Sequence, residues 1–142
     1  MTIAAILKTK GSGVVSLPPD ASVSEAVALL AERRIGALPV MENGRVAGIF
    51  SERDVIHCMQ AHGQAFLGRR VGDVMTAPVQ TVSPADTALA ALSLMTRRRI
   101  RHLPVLDGGQ MVGFVSIGDL VKYRIDHIEA EAAAMRDYIQ SA

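Results

Sequence analysis

Leu38-Pro39-Val40-Met41-Glu42-Asn43-Gly44-Arg45-Val46-Ala47-Gly48-Ile49-Phe50-Ser51-Glu52-Arg53-Asp54 decides the fold, because the chain writes it a second time. The second version is Leu103-Pro104-Val105-Leu106-Asp107-Gly108-Gly109-Gln110-Met111-Val112-Gly113-Phe114-Val115-Ser116-Ile117-Gly118-Asp119, at a constant offset of 65 residues. Outward from this stretch the match runs over residues 14–56 and 79–121 without a gap, and 14 of the 43 aligned pairs are identical. An internal repeat of this period is a structural unit that cannot bury its apolar face alone, so two copies are expected to pack together. Such a pair carries each surface twice, related by a pseudo-two-fold axis.

Each copy reads as β-α-β-β-α. Val14-Val15-Ser16-Leu17 is a short β-like run ended by Pro18-Pro19. Ser22 and Glu25 form a capping-box pattern, and Val23, Ala26, Val27 and Leu30 follow on one helical face. Leu38–Met41 is a strand whose proline belongs at a start or an edge. Asn43-Gly44 turns the chain, since both positions take positive φ readily. Val46–Phe50 returns, and Ser51 opens a helix through Val55, Ile56 and Met59. The second copy repeats the order: strand Val79–Val82, a helix capped by Thr87 with Ala88, Ala91, Leu92 and Met95 on one face, strands Leu103–Leu106 and Met111–Val115, and a helix from Ser116. Outside the repeats, Ile3–Leu7 suits a short helix or turn, Lys8–Gly13 a polar loop, and Ala61–Arg70 a connector before Val71–Thr76.

The composition is 49% hydrophobic but only 4% aromatic, so the core is aliphatic. A formal net charge of +1 argues against a strongly basic nucleic-acid binder. A single cysteine, Cys58, leaves no intrachain disulfide and fits a reducing compartment. The apolar start is too short for a secretory signal and no run suits a membrane span, so the expected location is the cytoplasm.

The motif with chemical content is Gly48-x-x-Ser51-x-x-Asp54, echoed by Gly113-x-x-Ser116-x-x-Asp119. A serine stands at a strand-to-helix junction with an aspartate three residues on. A helix N-terminus offers amide donors and a positive dipole end to a phosphate. The serine adds a donor, and the carboxylate can accept from both hydroxyls of a ribose. The same pattern is also a capping box that satisfies the helix's own amides with no ligand at all. Its recurrence at the same place in a repeat favours function.

The order strand–helix–hairpin–helix, with Leu-Pro-Val before the turn and the glycine–serine–aspartate motif after it, resembles the CBS domain, named for cystathionine β-synthase. Two tandem copies resemble a CBS pair. Val74-Met75-Thr76 followed by Pro78-Val79, and Arg101-His102-Leu103-Pro104-Val105, are similar to the second copy of stand-alone bacterial members. The resemblance implies an α/β (α+β) fold in which two three-stranded sheets pack about a pseudo-two-fold axis with helices outside. Residues 1–66 would form the first repeat with its N-terminal segment, 71–130 the second, and 131–142 a C-terminal helix extension. It also implies a non-catalytic regulatory module whose clefts bind AMP, ADP, ATP, an NAD-type dinucleotide or S-adenosylmethionine, and which associates as a homodimer. Carried over by position, Asp54 and Asp119 would hold ribose and Ser51 and Ser116 would approach phosphate. Ser16 and Thr81 would lie beside the adenine, with backbone near Ala37–Pro39 and His102–Pro104 lining the base.

The copies differ where charge matters. Glu52-Arg53 stands against Ile117-Gly118, and Gly36-Ala37 against Arg101-His102. Cations suit phosphates, which makes Arg53, Arg101 and His102 the phosphate candidates, with Lys8 and Lys10 further out. Arg97-Arg98-Arg99 reads as a solvated helix end rather than a nucleic-acid patch, because no aromatic residues interleave. His57, Cys58 and His62 lack the further ligands that a zinc site requires. No nucleophile is paired with a general base and no phosphate loop is present, so an enzyme is not expected. The alternative function is a ligand-independent scaffold dimerising through the repeat pair and its last helix. That helix carries Val121, Ile125, Ile128, Ala132, Met135 and Ile139 at 4-3-4-3-4 spacing. Such a stripe serves either its own domain or a second subunit.

Overall fold

A computed structural model describes residues 1–11 and 13–141. In chain order it holds α1 (Ile3–Lys10), α2 (Val23–Arg33), β1 (Ala37–Glu42), β2 (Arg45–Ser51) and α3 (Glu52–His62), then a 3₁₀ segment at Gly63–Gly68 and α4 (Val71–Val74). There follow α5 (Ala88–Arg98), β3 (His102–Asp107), β4 (Gln110–Ser116) and α6 (Ile117–Ser141). The duplicated sequence thus becomes a duplicated structure of mixed helix and strand.

Local chemistry explains the elements. Ser22 and Thr87 cap α2 and α5, their side chains accepting from the amides of Glu25 and Ala90 at 3.1 Å each. Both helices stop at a left-handed arginine, Arg34 (φ 53°) and Arg99 (φ 54°). The chain then doubles back, with Ile35 and Ile100 donating to the carbonyls of Leu30 and Met95. Each hairpin turns on two residues of positive φ: Asn43 and Gly44 at 53° and 76°, Gly108 and Gly109 at 60° and 82°. Both hairpins shift register at the same place, pairing Val40 with Gly48 but Met41 with Val46, and Val105 with Gly113 but Leu106 with Met111. Ala47 and Val112 are the bulged residues.

The runs expected as first strands are reduced to one bridge each, Leu17 parallel to Val40 and Val82 parallel to Val105. The sheets are therefore hairpins with a single-residue third partner rather than three full strands. Proline accounts for this. Leu17 donates to the Pro39 carbonyl and accepts from Met41, and Val82 does the same with Pro104 and Leu106. The next rung on one side would need an N–H from Pro39 or Pro104, and on the other from Pro19 or Pro84; none has one. Pro39 and Pro104 thus turn their nitrogens to the outer side of the hairpin, the edge position proline requires.

The flanking segments also depart from the sequence reading. Lys8–Lys10 is the last turn of α1 rather than loop, ending at Gly11 (φ 91°); Ser12 lies outside the described residues. The connector at 61–70 is largely helical, and its Phe66 packs on the first core. The two cores are built by exchange. The first joins Val23, Ala26, Leu30, Leu38, Val40 and Phe50 to Val71 of α4. The second joins Ala88, Ala91, Met95, Leu103, Val105 and Leu120 to Ile3 and Ile6 of α1. Backbone bonds fix the same exchange: Val71 and Gly72 donate to Ala21 and Pro19, and Ile3 and Ala4 donate to Asp86 and Pro84, at 2.8–2.9 Å. The segment preceding each repeat packs on the other one.

Candidate functional site

Between the repeats lies a cleft of about 540 Å³, walled by Ser51, Arg53 and Asp54 of the first repeat and by Gln80 and Arg98–His102 of the second. Ser51 ends β2 in extended backbone and caps α3. Its hydroxyl accepts from the Asp54 amide at 3.3 Å, while its own amide donates to Asp54 Oδ2 at 2.9 Å. The capping reading of the motif is therefore realised. It does not exhaust the carboxylate, because among the described residues Oδ1 accepts from the Thr76 hydroxyl alone, at 2.8 Å, against about two lone pairs per oxygen.

The cleft is rich in cations. Arg53, Arg98, Arg99 and Arg101 line it together with Glu52 and Asp54. Arg53 Nη1 donates to the Arg99 carbonyl at 3.1 Å, tying α3 to the end of α5. Arg99, the left-handed end of α5, lines the cleft together with Ile100, Arg101 and His102. His102 is half-buried and stacks on Phe114, ring centroids 5.6 Å apart at 15°. Burial pushes its pKa below the ordinary histidine value, helped by Lys10 and Arg101 and opposed by Asp119. At neutral pH the ring is uncharged, so it enters the cleft as a flat neutral face and not as the cation expected for a phosphate.

The pseudo-equivalent motif has a different fate. Ser116 and Asp119 form the same reciprocal cap, with bonds of 2.8 and 3.1 Å. Lys10 reaches in from α1 and donates to Asp119 Oδ2 at 2.6 Å and to the Phe114 carbonyl at 2.5 Å. Burial raises the Asp119 pKa, but the bonds from Lys10 and Ser116 outweigh it and hold the carboxyl below its ordinary value. Lys10 is thus engaged with a carboxylate, and neither Lys10 nor the exposed Lys8 lines the Asp54 cleft.

Of the residues singled out from sequence, Ser51, Arg53, Asp54, Arg101 and His102 come together in one cleft. Ala37, Pro39 and Pro104 are buried within their strands, and Ser16 and Thr81 are exposed beside the bridge residues Leu17 and Val82. Ser116 and Asp119 stand apart, under Lys10. Sequence reasoning missed Thr76, Gln80, Arg98 and Arg99. The signal for the last two was their identity with Arg33 and Arg34, visible in the alignment of the repeats. Among the described residues, no cluster of three His, Cys, Asp or Glu side chains could hold a metal ion. No helix among them is long and apolar enough to cross a membrane.

Residues 9–61 and 71–126 each match the CBS domain. The chain belongs to the CBS-domain family. Among relatives, CBS domain-containing protein CBSX3, mitochondrial, of Arabidopsis thaliana is 35% identical over 148 residues, which cover 98% of this chain and 72% of the relative. A solved CBS-domain protein of Agrobacterium tumefaciens superposes with a TM-score of 0.84 at 38% identity, covering 87% of this chain and 99% of that one. The structure of CBSX2 in complex with AMP superposes with a TM-score of 0.74 at 25% identity, covering 88% and 96%. This CBS pair is therefore similar to a protein whose structure holds AMP, and it belongs to a family whose domains are generally regulatory.

Proposed function

We propose that this chain is a non-catalytic sensor that binds an adenosine-containing ligand in the Asp54 cleft. The observation that carries the reading is one carboxylate with a free lone pair beside four arginines in a single open cleft. Asp54 would accept the ribose hydroxyls. Ser51 and the start of α3 would meet the phosphate, with Arg53, Arg98, Arg99 and Arg101 neutralising its charge. The neutral His102 ring offers a flat partner to the base, beside backbone at Ala37–Pro39 and His102–Pro104. The volume is in the range of small-ligand sites, about 300–1,000 Å³. The complex of CBSX2 with AMP supports the ligand class, within which AMP, ADP, ATP, an NAD-type dinucleotide and S-adenosylmethionine are candidates.

The Asp119 site is, in this reading, closed by Lys10, so one ligand binds per chain. The working assembly is a homodimer in the cytoplasm, its ligand state read by a partner protein. Thermal unfolding with AMP, ADP, ATP, NAD and S-adenosylmethionine tests the reading. A ligand at 100 times its Kd stabilises the fold by about 2.7 kcal/mol, a rise in Tm of about 5 °C or more for a chain of this size. Absence of a shift with every member of the panel would refute it and favour the scaffold alternative, for which the exposed apolar stripe of α6 speaks.

A further inference from the structure

α6 runs for 25 residues, about 37 Å, well past the body of the protein. Leu120 and Tyr123 face inward; Leu120 is fully buried and Tyr123 packs on the second core. From Glu129 onward every residue up to Ser141 is exposed except Ala133. An isolated helical stretch of this length is marginal in water without a partner. The apolar stripe is on the face turned away from the body. Val121, Ile125, Ile128, Met135 and Ile139 are between 43% and 66% exposed. In heptad terms they take the a and d positions with Ala132, while the inward residues take c and f on the opposite side.

The charges beside the stripe choose the partner and its direction. Lys122, Glu129 and Arg136 occupy e positions, and Arg124 and Glu131 occupy g positions. In a parallel pair of identical helices each g residue meets the e residue five places on in the other copy. Arg124 then meets Glu129 of the second copy and Glu131 meets Arg136 of the second copy, each twice by symmetry. An antiparallel pair with its apolar layers matched would set Glu129 against Glu129, Glu131 against Glu131 and Lys122 against Arg136. The intrahelical contact of Glu131 Oε1 with His127 Nε2, at 3.1 Å, leaves the other carboxylate oxygen available.

We propose that two copies of this chain join through α6 as a parallel, in-register, two-stranded coil over Val121–Ile139, with the two bodies on its outer sides. The inference rests on the homodimer reading and specifies its geometry. Sedimentation equilibrium of the full chain over a concentration series should give the mass of a dimer. Arg124→Glu should raise the dimer Kd about tenfold, since two ion pairs become repulsive contacts, and adding Glu129→Arg should restore it to within about twofold. Because Cys58 is buried, Ile139→Cys introduces the one accessible thiol among the described residues. Mild oxidation should then give a covalent dimer, since position 139 meets its own copy only in a parallel pair. A monomer at every concentration would overturn the homodimer and the coil together. A dimer that is indifferent to Arg124→Glu, or that forms no disulfide through Ile139→Cys, would overturn the coil alone.

Discussion

His102 stands where the first repeat has Ala37, and that one difference gives the cleft a titratable ring. Burial lowers its pKa from 6.5, so below that pH the unfolded chain takes up a proton that the folded chain resists. The sign follows from linkage: stability is full above pH 6.5 and falls as the pH drops toward the lowered folded value. Thermal unfolding measured from pH 7 to pH 5 should show a falling Tm, and His102→Gln should flatten part of that fall. An unchanged slope in the variant would mean that another group carries the dependence. Asp119 acts in the same direction at lower pH. Its depressed pKa contributes stability above its ordinary 3.8, lost as the pH falls below it.

At the scale of elements, Gly48 and Gly113 occupy the same place in their hairpins but meet different neighbours. A Cβ on Gly48 would lie 2.9 Å from the Thr76 backbone carbonyl and 2.5 Å from Met75 Sδ. One on Gly113 would lie nearest the Leu7 side chain, 2.5 and 2.9 Å from its two methyls, and a side chain yields more readily than backbone. Gly48→Ala should therefore cost about 1–3 kcal/mol and Gly113→Ala less than about 1, read as shifts in urea midpoint at constant m. Equal costs would mean that the exchanged segments are packed alike. The elements themselves were unequally legible. α2 and α5 announce their caps and apolar faces, and the Asn43-Gly44 hairpin its turn. The reduction of the runs at 14–17 and 79–82 to single bridges is not legible in their β-like composition, because the ladder is cut by Pro39 and Pro104 opposite as well as by Pro19 and Pro84. Nothing local assigns α1 to the second core. Ile3 and Ile6 are buried there by a contact more than 80 residues away in the chain.

At the scale of the molecule, the repeat pairs each half with the segment that precedes the other. The exchange that builds the two cores also makes the two serine–aspartate motifs unequal, because α1 brings Lys10 to Asp119 whereas the linker brings the Thr76 hydroxyl to Asp54. Five residues picked out from the sequence, Ser51, Arg53, Asp54, Arg101 and His102, meet in one cleft, which makes it the candidate site. The sequence did not carry the Lys10–Asp119 bond, which depends on where an N-terminal helix docks. It also did not reveal that Arg98 and Arg99, at the exposed end of α5, line the cleft. The claim that one cleft is open and the other latched is tested most directly by isothermal titration of the full chain with the ligand that stabilises it most. The account predicts one ligand per chain, an affinity weakened about 10- to 100-fold by Asp54→Asn through loss of a charged hydrogen-bond acceptor, and no such loss in Asp119→Asn. Two equivalent ligands per chain, or binding lost through Asp119→Asn and kept in Asp54→Asn, would contradict it.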